Sequence, residues 1–117
     1  MKLINTCTLE LKKSKFIAFY YQVESLEDVE DALMILKKNY KKAKHIPYAY
    51  KIDNYIKKSD DKEPSNTAGG PILNIIEKKE LNYVLIAVVR IFGGIKLGAG
   101  GLIRAYSNSA NEVTKID

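Results

Sequence analysis

One cysteine and one histidine in 117 residues narrow the chemistry at the outset. Cys7 has no second cysteine to pair with, so no intrachain disulfide can form. A reducing, cytoplasmic setting is the expectation. Long apolar runs are also missing. The longest, Tyr83 to Val89, has 7 residues and then meets Arg90, against about 20 for a membrane span. The N-terminal segment Met1-Lys2-Leu3-Ile4-Asn5-Thr6 has no sustained apolar stretch, so no secretory signal is expected. Proline and glycine are sparse, at 3 and 7, beside 46% hydrophobic and 28% charged residues. That composition excludes collagen, a disordered tail and a disulfide scaffold. Residues 1–117 are expected to form a single domain, since this length can bury a core.

What is abundant is lysine, and unevenly so. The net charge of +5 falls entirely within residues 1–58, while residues 59–117 balance. Between Lys37 and Lys58 there are 8 lysines and one acid, Asp53. Tyr40, Tyr48, Tyr50, Tyr55 and His45 are interleaved with them. A basic stripe carrying aromatics suits a phosphate backbone with exposed bases. Lysines at a helix end are equally expected from the helix dipole and from solubility alone.

The patterning predicts alternating elements. Strands are expected over about 2–11 and, from its aromatic and β-branched content, 16–23. Ser25 reads as an N-cap for a helix over 26–40, with Leu26, Val29, Leu33 and Leu36 as its buried stripe. Residues 46–52 alternate as a strand, with Pro47 at its start. Residues 53–70 read as one long polar connection. Pro71 opens a short helix ending near Lys79. Residues 82–92 form a near-continuous apolar run, the mark of a central strand buried on both faces. A last helix over 99–115 turns Leu102, Ile103, Tyr106, Ala110 and Val113 inward. The expected fold is an α/β (α+β) sandwich: a mixed sheet of about four strands with helices on one face.

Two segments could carry chemistry. Five of the seven glycines lie between 93 and 101, between the apolar strand and the last helix. Such a turn brings main-chain N–H groups and a helix N-terminus to a ligand, which favours an anion. Arg90, Lys96 and Arg104 surround it. The spacing is neither a Walker A loop nor a dinucleotide fingerprint, and a tight strand-to-helix turn needs glycines too. The second segment is Ser59-Asp60-Asp61-Lys62-Glu63-Pro64-Ser65-Asn66-Thr67. Its carboxylates could hold Mg²⁺, or its side chains could bond their own backbone and cap the next helix. The second reading is preferred, and no metal or cofactor is called for. A nucleophilic set built from His45 with Cys7, or with Ser59 or Ser65 and Asp60, exists by residue type but has no supporting spacing.

The runs SDDKEPSNTAGGPIL and VVRIFGGIKLGAGGLIRAYSNSA, with Lys13-Ser14-Lys15-Phe16 and Ala43-Lys44-His45 upstream, resemble the N-terminal domain of the IMPACT/YigZ family (UPF0029 type). The likeness extends from Lys12 to Ala110. It implies a fold like domain IV of elongation factor G. Eukaryotic members look like translation regulators that work through protein partners, and bacterial members usually carry a second, ferredoxin-like domain, expected to be absent here. The resemblance marks Ser59, Asp60, Asp61, Glu63, Pro64, Ser65, Thr67, Ala68 and Gly69 as a loop that carries the family's motif. Pro47 stands where many members have cysteine.

The expected function is a non-catalytic, translation-related module that binds RNA or the ribosome. The proposed surface comprises Lys41, Lys42, Lys44, His45, Tyr48, Tyr50, Lys57 and Lys58, with Arg90, Gly93, Gly94, Lys96, Gly98, Gly100, Gly101 and Arg104. The alternatives are a protein-interaction regulator of a starvation pathway, or a hydrolase acting on a phosphorylated or peptide substrate. No membrane partner is expected, and the oligomeric state stays open.

Overall fold

A computed structural model describes residues 1–116. The elements are β1 (Lys2–Leu11), β2 (Ser14–Gln22), α1 (Leu26–Asn39), β3 (Tyr48–Ile52), β4 (Tyr55–Ser59), α2 (Gly69–Lys78), β5 (Val84–Ile91) and α3 (Gly98–Val113). The strands form one sheet in the order β1-β2-β5-β3-β4, and every neighbouring pair is antiparallel.

The apolar run of β5 explains the layering. Val84, Ile86 and Val88 join one core with Phe16, Ala18 and Tyr20 of β2, under α2 and α3. Leu85, Ala87 and Val89 join a second core with Phe19 and Tyr21, under Val29, Ala32 and Leu36 of α1. Successive strand residues point to opposite faces, so a strand that is apolar at every position needs cover on both. The sandwich expectation stands, but the helices lie on both faces rather than one. The sheet has five antiparallel strands where about four mixed ones were expected.

The added strand is β4, inside the segment read as a connection. Among the described residues it pairs only with β3, through a two-residue turn at Asp53-Asn54. Tyr55 and Ile56 are exposed, as are Lys57 and Lys58. An edge strand buries little and leaves one row of its backbone groups unpaired. Helix α1 begins as expected: the Ser25 hydroxyl accepts from Asp28 N at 3.2 Å, and Asp28 accepts from Glu24 N at 2.9 Å. In α3, Leu102, Tyr106, Ala110 and Val113 are buried, whereas Ile103 lies outside. Among the described residues, no helix is long and apolar enough to cross a membrane.

Two close approaches fix the site's frame. A Cβ on Gly93 would lie 2.1 Å from the Lys13 carbonyl, so the β1–β2 turn rests directly on the chain leaving β5. A Cβ on Gly69 would lie 2.8 Å from the Ser59 backbone, which holds the start of α2 against the end of β4.

Candidate functional site

The register of the sheet brings three segments to one end of β5. The chain entering β3 runs antiparallel to β5, and the Arg90 N–H donates to the His45 carbonyl at 3.0 Å. The 60–67 loop crosses over this corner, and the glycine turn leads from β5 into α3. Together they enclose a cleft of about 410 Å³. Its lining includes Lys44, His45, Glu63, Pro64, Arg90, Phe92, Lys96, Leu97, Gly98, Ala99 and Leu102.

Its floor is a buried polar cluster. Glu63 is 6% exposed and accepts from Arg90 Nη1 through both carboxylate oxygens, each at 2.8 Å. The Tyr106 hydroxyl donates to Glu63 Oε2. Burial and this bond to a carboxylate push the Tyr106 phenol far above its ordinary range, so it stays a donor. Phe16 packs edge-on against the Tyr106 ring, with centroids 5.2 Å apart. His45 Nδ1 lies 2.8 Å from the Asp61 carbonyl oxygen, and a carbonyl only accepts, so Nδ1 carries a proton. Nε2 then faces Glu63 Oε1 at 3.5 Å, at the edge of the cleft.

The carboxylates of the loop have separate tasks. Asp60 accepts from the N–H groups of Asn66, Ala68 and Gly69 at 2.9, 3.1 and 2.8 Å. Burial alone would raise its carboxyl, but these bonds and the nearby Lys58 hold it below its ordinary value. Asp60 thereby caps α2, whose own N-cap, Ala68, has no capping side chain. Asp61 accepts from Ile46 N at 2.7 Å, and Glu63 serves Arg90 and Tyr106. Ser59 Oγ accepts from Asp61 N, and the Thr67 hydroxyl donates to the Pro64 carbonyl, while Ser65 is exposed. Among the described residues no cluster of His, Cys, Asp and Glu could hold a metal ion.

The conjectured nucleophilic sets are not assembled. Among the described residues the ring nitrogens of His45 meet only Asp61 and Glu63. Cys7 lies on β1 against the Ser109 carbonyl, and burial raises its thiol pKa.

The lysine/tyrosine stripe divides. Lys44 and His45 reach the cleft, whereas Lys41 and Lys42 are exposed at the end of α1. Tyr48 and Tyr50 lie half-buried on the α1 face, their rings nearly parallel at 6.4 Å. Lys57 pairs with Tyr50 on that face; Lys58 pairs with Ala49 and lies on the α2 face. Of the turn residues, Arg90, Lys96 and Gly98 line the cleft. Gly93 packs against Lys13 and, like Gly94, is not among the lining residues; Gly100 and Gly101 lie in the first turn of α3, and Arg104 sits beside Gly100 on the outside. Phe92, Leu97 and Tyr106 carry no site signal of their own in the sequence. Tyr106 reads in sequence only as a core position on a helix face.

The first turn of α3 completes the cleft. Its sequence, Gly98-Ala99-Gly100-Gly101, carries nothing longer than a methyl group. The N-cap Leu97 makes no side-chain capping bond. The first amides of a helix have no partner within it, and here they open beside Lys44, Lys96 and Arg90.

Comparison with known proteins agrees with this architecture. The family model described as the Impact N-terminal domain matches residues 12–114. The IMPACT family member YvyE of Bacillus subtilis (strain 168) is 43% identical over 105 residues, covering 87% of this chain and 48% of that protein. A crystal structure titled only as a hypothetical protein superposes with a TM-score of 0.89 at 30% identity, over 96% of this chain and 59% of the other. The two-domain translational regulator Yih1 superposes with a TM-score of 0.54 at 26% identity, over 96% of this chain and 45% of the other. The chain thus spans about half the length of the curated relatives it matches. By the family model, by sequence identity and by fold, the chain belongs to the IMPACT family and carries its N-terminal domain.

Proposed function

We propose that this domain acts in translational regulation by binding RNA, free or within the ribosome, through the phosphates. The single observation that carries the reading is the shared cleft. The 60–67 loop and the glycine turn line one concavity, with Lys44, His45, Arg90 and Lys96 around the open end of α3. Fixed amides and lysines at such a place suit a phosphate group. The likeness to the translational regulator Yih1 supports the setting. Fluorescence anisotropy with a structured RNA across a salt series tests it. Affinity is expected to fall steeply, with log K linear in log salt. No binding at low salt, or binding indifferent to salt, contradicts it.

A second reading is a protein-interaction module. The β4 edge favours it, since Tyr55 and Ile56 are 66% and 47% exposed on a strand paired on one side only. Such an edge can accept another strand. Pull-down from extract before and after nuclease separates the two readings: RNA-mediated capture disappears after nuclease, and direct protein capture survives.

A further inference from the structure

We infer that the cleft takes a phosphomonoester on a nucleoside, either the phosphorylated end of an RNA or a free nucleoside monophosphate. The inference rests on the RNA reading above and narrows it from phosphate in general to a terminal phosphate.

The charge count at the cleft sets the ligand class. Lys44, Lys96 and Arg90 face a single carboxylate, Glu63, so two positive charges are in excess. A phosphomonoester carries about −1.5 to −2 at neutral pH and three acceptor oxygens, whereas an internal phosphodiester carries one charge. Arg90 adds an observation independent of the helix end. It is only 7% exposed, lines the cleft, and spends one nitrogen, Nη1, on Glu63. Its Nε is buried out of a ligand's reach with no partner among the described residues; its Nη2, which makes no hydrogen bond among the described residues, is the nitrogen left to donate to a ligand. A guanidinium held in place by Glu63, stacked near the Phe16 and Phe92 rings at 5.8 and 5.5 Å, is a fixed donor facing the cleft.

The remaining wall sets the ligand's body. Phe92, Leu97, Leu102 and Pro64 add apolar surface to the cleft, and the Phe92 ring lies beneath both Lys44 and Arg90, each at 5.5 Å. Ligand pockets of about 300–1,000 Å³ with a few polar anchors hold small organic ligands, and 410 Å³ falls within that span. A bare phosphate would leave the apolar wall uncovered; a nucleoside covers it.

The test uses five probes against the chain as it stands. Three are copies of one internally labelled 12-nucleotide RNA, ending in a 5′-phosphate, a 3′-phosphate or hydroxyls only. The others are AMP and adenosine, used as competitors and also titrated directly by calorimetry. One phosphorylated RNA is expected to bind about tenfold tighter or more than the hydroxyl form. AMP should compete, and adenosine should not. The double substitution Lys44→Ala/Lys96→Ala, at two exposed positions, should erase the preference. Equal binding of all three RNAs overturns the terminal-phosphate pocket and leaves RNA binding intact. AMP binding with no RNA binding keeps the pocket, assigns it to free nucleotide and sinks the RNA reading. Binding of none overturns both.

Discussion

Glu63 and Arg90, 27 positions apart, are joined by Arg90 Nη1 lying 2.8 Å from both oxygens of a carboxylate that is almost wholly buried. The bond ties the 60–67 loop to the end of β5, and Tyr106 ties the same carboxylate to α3. Breaking it on one side leaves the other charge stranded. Glu63→Ala is expected to destabilise the domain by about 3–5 kcal/mol, and Tyr106→Phe by about 1–2 kcal/mol. Urea unfolding measures both. A Glu63→Ala loss of under about 1 kcal/mol would mean that the cluster is solvated.

Asp60 gives the domain an acid-sensitive latch. Its carboxyl titrates below the ordinary 3.8 in the folded chain. The folded state therefore releases this proton more readily than the unfolded chain. The resulting stability is fully present above that ordinary value and is lost as pH falls through the lower folded one. Asp60→Asn should flatten the acid limb of a urea-midpoint profile taken from pH 6 down to 2. Asp60→Ala should cost about 1–2 kcal/mol near neutrality through the lost cap on α2. An unchanged acid limb in Asp60→Asn contradicts the latch.

The glycines are not equivalent. Gly93→Ala drives a methyl group into the Lys13 carbonyl, 2.1 Å away, and should cost about 1–3 kcal/mol or more. Gly100→Ala meets only the flexible Arg104 side chain at 3.4 Å. It should be neutral, or stabilising by up to about 1 kcal/mol from helix propensity. Thermal unfolding of the two variants side by side checks the contrast; equal losses would contradict it.

Much of this was legible in the sequence where local rules decide. The Ser25 cap, the apolar run of β5 and the alternation of 46–52 each rest on residue type and period. Asp60 as a backbone acceptor followed from the habits of short polar side chains in loops. What escaped depends on contacts across the chain. Edge strand β4 buries so little of Tyr55 to Lys58 that it left no apolar signature. Once it is a strand, its period of two sends Lys57 and Lys58 to opposite faces, so a stripe continuous in sequence cannot be continuous in space. No pattern assigns a helix to one face of a sheet that is apolar on both, so the sequence does not say which face α1 covers. Tyr106 and Glu63 lie 43 positions apart, and no local rule connects a core-facing tyrosine to a loop carboxylate.

The account turns on the start of α3 as an anion site, and an NMR titration reads it at single residues. Adding AMP to the ¹⁵N-labelled domain should shift the amides of Gly98, Ala99 and Gly100 most, with smaller shifts at Lys44 and Arg90. The Lys44→Ala/Lys96→Ala protein should lose those shifts while staying folded. Amides at 98–100 that stay still at saturating AMP, or that move equally with adenosine, would contradict it.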